Sequence, residues 1–175
     1  LLYKRYLIMK WFHRHYKHHA ISEQPLITSI YNDKFSTIIY RLTLLSQKST
    51  LECKHAAAIV KYNVIVSIGY NEIIASVSIH AECMAIQRYI NSCRKNRKHH
   101  NLFKNCTLVV IRIGDQNKRL MMSKPCANCI QYIKLLNIKK IYYSDECGNL
   151  IRTDANITSN HYSRLATHLA RNLRA

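Results

Sequence analysis

A chain of 175 residues, 48% hydrophobic and 21% charged, is enough for one ordinary domain with a packed core, is short for two, and is not disordered in composition. With only 3 glycines and 2 prolines, collagen-like segments and long flexible linkers are excluded. Lysine and arginine number 27 against 9 aspartates and glutamates, a net charge of +18, a balance that favours polyanions or phosphorylated ligands, although a solvated lysine-rich surface gives the same sum.

Residues 1–24 hold Lys4, Arg5, Lys10, Arg14 and Lys17, with no acid before Glu23. They open a basic N-terminal extension over 1–34, read either as an arm that contacts nucleic acid or as a solvated tail. Phe35, Ile38, Ile39, Leu42 and Leu45 recur at helical spacing and predict a helix to about Gln47. Ala56 to Lys61 and Val64 to Ile68 are β-rich runs around Tyr62-Asn63, which predicts a hairpin, and Gly69-Tyr70-Asn71 ends the second run. Ser78 is placed to cap a helix from near His80 to about Asn91. Residues 92–105 read as a basic loop, and 94–104 form a second candidate contact for nucleic acid. Thr107 to Ile113 is a strand closed by Gly114 to Asn117, and Pro125 opens a helix from Cys126 to about Leu136. Lys140 to Ser144 is a strand, Asp145 to Asn149 a turn, and Leu150 to Thr153 a last strand. Residues 160–173 suggest a basic helix in a C-terminal extension over 154–175, which leaves 35–153 as the main domain. An initial hairpin followed by helices alternating with strands predicts an α/β fold, a mixed sheet sandwiched by helices.

No run reaches the roughly 18 apolar residues of a membrane helix, so no membrane partner is expected. The first residues break every apolar run with a base and do not read as a secretory leader. An odd count of 7 cysteines then points to a reducing, intracellular and cytoplasmic setting, with nuclear or virus-associated placement as the lesser alternatives. In such a setting clustered cysteines bind metal more often than they pair.

Two fragments carry chemistry, His80-Ala81-Glu82 and Pro125-Cys126-Ala127-Asn128-Cys129. A Cys-x-x-Cys pair at a helix N-terminus places both sulfurs on one ion, and the helix dipole favours the thiolate that binds it. One imidazole from a second helix N-terminus completes a three-ligand site, His80, Cys126 and Cys129. Three protein ligands leave a tetrahedral ion one open position, which is the catalytic arrangement for zinc. Glu82, two residues past the histidine, is near enough to exchange protons there without being a ligand.

This pairing of His-x-Glu with Pro-Cys-x-x-Cys resembles the cytidine/deoxycytidylate deaminase superfamily, whose signature it is. The similarity runs from about Cys53 to Thr153. Lys54 to Val60 resembles that family's first strand, Gly69-Tyr70-Asn71 its Gly-x-Asn segment, and Lys140 to Ser144 the strand after its cysteine helix. The resemblance implies a three-layer α-β-α fold with a five-stranded mixed sheet, one catalytic zinc ion and hydrolytic deamination of a nucleobase. It further implies that Glu82 is the catalytic acid and base, that Asn71 contacts the sugar, and that Ala81 contacts substrate. A cytosine nucleotide or nucleoside is the expected substrate, with a base in tRNA or single-stranded DNA, or an inactive fold that binds nucleic acid, as the alternatives. Family members are often homo-oligomers. The chain departs from the deoxycytidylate pattern at Met84, where asparagine is usual, and from the tRNA-editing pattern at Ala127-Asn128.

Overall fold

Two interleaved apolar sets in the central strands decide the architecture. The computed structural model describes residues 33–95, 101–116 and 118–160. In β1 (Lys54–Lys61), Ala56, Ala58 and Val60 point to one face and Ala57 and Ile59 to the other, all five buried. In β5 (Cys106–Ile113) the same alternation sends Val109, Ile111 and Ile113 one way and Leu108 and Val110 the other. A strand apolar on both faces must be covered on both. The helix α1 (Asp33–Ser46) covers the first face with Ile38, Ile39, Leu42 and Leu45. Two helices, α2 (Ala81–Lys95) and α3 (Ala127–Leu135), cover the second.

The strand order is β2-β1-β5-β7-β8, where β2 is Val64–Tyr70, β7 is Lys140–Ser144 and β8 is Leu150–Asp154. A sixth, two-residue strand, β6 (Leu120–Met121), pairs with the end of β5. The sheet is mixed: β5 and β7 run parallel, and the other pairs are antiparallel. The expected three-layer α-β-α fold with five principal strands is therefore present. Tyr62 and Asn63 turn the first hairpin with φ of 50° and 63°, the left-handed pair a two-residue type I′ turn demands.

Strand direction places the helix ends. Both β2 and β5 are antiparallel to β1, so they are parallel to each other and α2 returns the chain between them. The helix α3 returns it between β5 and β7 in the same way. Both helix N-termini thus arrive where β2, β5 and β7 end and β1 begins.

The contact of α2 with β2 is close. A Cβ added at Gly69 would lie 2.7 Å from the Ala81 carbonyl oxygen and 2.8 Å from Met84 Cβ, so only glycine admits the helix here. The Ser67 hydroxyl donates to the Ala85 carbonyl at 2.7 Å, and Arg88 reaches from α2 to the Ile68 carbonyl and to Glu72.

Three elements differ from the sequence-based expectation. Residues 72–79 form a small hairpin, β3 (Glu72–Ile74) with β4 (Val77–Ile79), so Ser78 is paired with Ile73 and does not cap α2. The helix α2 runs past Asn91 to Lys95, because Ser92, Cys93 and Arg94 contain nothing that breaks a helix. After Ile113 the chain pairs back on itself as β6 before reaching the cysteines. Residues 1–32, 96–100, 117 and 161–175, which include most of the two expected extensions, part of the expected 92–105 loop and the terminal helix, lie outside the described residues.

Candidate metal centre

His80 sits at the join between β4 and α2. Its carbonyl accepts the first helical hydrogen bond, from Met84 N–H at 3.0 Å, so the residue itself occupies the cap position expected of Ser78. Cys126 caps α3 with extended backbone, φ −69° and ψ 164°, and its Sγ accepts from the Cys129 N–H. Pro125, just before it, has no N–H to lose and fixes the approach. One turn later Cys129 points its sulfur to the same side.

The result is convergence. His80 Nδ1 lies 3.6 Å from Cys126 Sγ and 3.3 Å from Cys129 Sγ. All three ligand atoms fall within 4.8 Å of one another. Tetrahedral zinc with its usual bond lengths holds nitrogen and sulfur about 3.6 Å apart, so the donor set and its spacing suit one zinc ion. Cys126 and Cys129 are buried while His80 is half-buried, so the histidine is the most exposed of the three.

Without metal, His80 and Cys129 favour their protonated forms. The hydrogen bond to Cys126 raises His80 to a pKa of about 9 in spite of its burial. Hydrogen bonds with Cys126 and Cys83, followed by burial, push the Cys129 thiol well above its ordinary range. This is opposite to the thiolate expected from the helix dipole alone: neighbouring thiols and desolvation outweigh it, and a bound cation restores it. Glu82 is buried in the first turn of α2. Burial raises its carboxyl pKa, while His80 and a hydrogen bond from Cys129 pull it down.

Of the other expected site residues, Ala81 is fully buried as the first residue of α2. Asn71 is buried beside the start of β1, where its Oδ1 accepts from His55 N–H at 2.8 Å and its Nδ2 donates to the Cys53 carbonyl at 2.6 Å. The amide therefore stitches the end of β2 to the strand that passes His80. Sequence reasoning did not single out His55 or Arg112, which stand at this same end of the sheet. The signal was their parity, shared with Ala57 and Val110. Nor did it single out Cys83, whose sulfur lies 3.9 Å from that of Cys129.

Residues 32–145 match the model of the cytidine and deoxycytidylate deaminase zinc-binding region. The chain belongs to this deaminase family. Its fold is similar to that of the cytidine deaminase from Burkholderia pseudomallei, with a TM-score of 0.54 at 17% identity, covering 73% of this chain and 98% of that one. The dCMP deaminase from the cyanophage S-TIM5 in complex with dCMP and dUMP aligns with a TM-score of 0.48 at 19% identity, over 67% of this chain and 85% of that one. No curated protein matches the chain. Among the described residues no helix is long and apolar enough to cross a membrane.

Proposed function

We propose that this deaminase-family protein hydrolyses the exocyclic amine of a nucleobase, and that the base is cytosine in a nucleotide or nucleoside. The observation that carries the reading is the convergence of His80, Cys126 and Cys129 with a buried carboxylate, Glu82, two residues from the histidine. Zinc held by the three ligands supplies, when bound, the Lewis acidity that makes water nucleophilic near neutral pH. Glu82 would take one proton of the attacking water on a carboxylate oxygen and pass it to the ring nitrogen, then take the proton of the hydroxyl added to the ring carbon and pass it to the amine, so that ammonia leaves and the hydroxyl becomes the carbonyl. Its burial excludes competing solvent from the proton path. Ala81, at the open N-terminus of α2, and Asn71, which keeps one amide hydrogen and one carbonyl lone pair beyond those used by residues 53 and 55, are the substrate contacts in this reading. The clustering of Cys126 and Cys129 on one metal position is in keeping with a reducing, cytoplasmic setting.

The test is ammonia release by the zinc-loaded protein on cytidine, deoxycytidine, CMP, dCMP, adenosine, guanine, single-stranded DNA and tRNA, with Glu82→Ala as control. Turnover of a cytosine nucleotide or nucleoside that falls by about 10²–10⁴ in the variant at unchanged zinc content is expected. Parent-like turnover in Glu82→Ala would remove Glu82 from the mechanism. Turnover confined to adenosine, guanine or a polynucleotide would replace the substrate.

A further inference from the structure

The end of the sheet that faces the metal cluster also presents a cation without a partner. His55 and Arg112 are directly opposite in the β1–β5 ladder, and Arg112 is opposite Met121 in the β5–β6 ladder. By alternation from Ala57 and Val110, this row lies on the face covered by α2 and α3, the face that holds Cys126 and Cys129. It stands where β5 ends and β1 begins, the end at which both helix N-termini arrive. Asn71 joins it, with hydrogen bonds to His55 at both N–H and C=O.

Arg112 is half-buried, and its Nε is fully buried with no hydrogen-bond partner. The acid nearest in sequence, Asp115, is held by Lys54 at 2.9 Å, and Lys54 has the opposite parity on β1. Among the described residues no carboxylate forms an ion pair with Arg112. A guanidinium cannot shed its charge, and a desolvated donor without an acceptor is costly, so the position is explained by a ligand that brings the acceptor. His55 adds no charge of its own, since burial lowers its pKa to about 4. Its Nδ1 faces the Cys53 carbonyl at 3.2 Å.

We propose that Arg112, beside His55 and Asn71, is the subsite for a terminal phosphate monoester on the substrate, so that the protein acts on a nucleoside monophosphate in preference to the free nucleoside. The planar guanidinium binds phosphate oxygens in pairs, and Asn71, hydrogen-bonded to the backbone of His55, ties the end of β2 to this row. The inference rests on the deaminase reading for the identity of the base, but its test is a binding experiment that needs no turnover.

Calorimetric titration of the zinc-loaded protein with dUMP and with deoxyuridine should show dUMP bound at least tenfold more tightly. Arg112→Gln should remove that difference at unchanged zinc stoichiometry, and Arg112→Lys should restore part of it. Equal affinity for dUMP and deoxyuridine in the parent overturns the subsite, as does a difference that survives in Arg112→Gln. Should Arg112→Gln fail to fold, the parent comparison and Arg112→Lys decide the matter: a lysine variant with the parent's full preference would show that bidentate recognition is not in use, and overturn it. A single-stranded oligodeoxynucleotide lacking terminal phosphates that displaces dUMP with the same dependence on Arg112 overturns the monoester assignment. Deoxycytidine turnover without phosphate discrimination leaves the deaminase reading standing and removes the subsite. Discrimination through Arg112 with no turnover on any base does the reverse.

Discussion

At the scale of single residues, the metal cluster is built from side chains that resist the states they must adopt. His80 and Cys129 hold protons strongly in the metal-free cluster, and both must release them to bind a cation, so metal binding and proton release are linked. A substitution that removes one sulfur removes a ligand from a set of only three. Cys126→Ser should therefore lose stoichiometric zinc in dialysed protein measured by atomic emission, and full occupancy in that variant would reject the ligand set. His55 gives a pH dependence of stability whose largest cause is burial, to be read in zinc-loaded protein because His80 and Cys126 also act on it. Its pKa is about 4 in the fold against about 6.5 in the unfolded chain. Between those values the unfolded state binds the extra proton, so stability is complete above about pH 6.5 and drains away as pH falls toward 4. His55→Gln should flatten that loss: urea midpoints at pH 5 and pH 7.5 should lie closer together in the variant than in the parent. An unchanged gap between the two midpoints would mean that His55 is not buried neutral.

At the scale of elements, the metal cluster depends on how closely α2 lies against β2. A methyl at Gly69 would meet backbone atoms of α2, the Ala85 nitrogen and the Ala81 carbonyl oxygen, and backbone cannot step aside as a flexible side chain can. Gly69→Ala should cost on the order of 1–3 kcal/mol in urea unfolding and lower zinc affinity, because the helix that must shift begins one residue after His80. Parent stability in that variant would mean that the two elements are farther apart. The elements that were legible in the sequence are those whose pattern is bound to burial. Alternation in Ala56 to Val60 and the three- and four-residue spacing from Phe35 to Leu45 both report a covered face, and the Lys140 to Ser144 strand was read to the residue. The β3–β4 hairpin was not legible. Its Ile73, Ile74 and Val77 are exposed, so no buried face imposes a period, and its turn uses Ala75 and Ser76 with φ of 49° and 64°, residues that do not announce a left-handed turn. The ligand set was readable because two short motifs name their own atoms. Arg112 was not, because a single base in an apolar strand acquires meaning only when the ladder sets it opposite His55.

At the scale of the whole molecule, the metal ligands come from elements far apart in sequence, His80 before α2 and the cysteines at the head of α3, and both helices pack on the same face of one sheet. An ion joining them closes a loop through the core, and whatever binds only the folded state stabilises it. At free zinc a hundredfold above its dissociation constant the gain is about 2.7 kcal/mol, which for a domain of this size is a shift of roughly 5–10 °C in Tm. Removing zinc with a chelator should lower Tm by that amount and restoring zinc should recover it. A melting curve indifferent to chelation would show that these residues do not hold an ion in the folded protein.

The excursion at the end of β5 has its own consequence. After Val110 the strand β5 parts from β7 but stays paired with β1 as far as Ile113; the chain then doubles back as β6 and returns at Ser123. The Ser123 hydroxyl donates to the Val110 carbonyl at 2.9 Å, its N–H donates to the Ser144 carbonyl at 2.8 Å, and its hydroxyl accepts from the Ser144 N–H. Departure and return are thus clasped at one point, two residues ahead of Pro125. The turn beyond Ile113, between β5 and β6, hangs outside that clasp, and its length does not enter the register of the cysteine helix against the sheet. Such a turn is a place where descent, or a protein engineer, can lengthen, shorten or exchange the chain while the metal ligands stay in place.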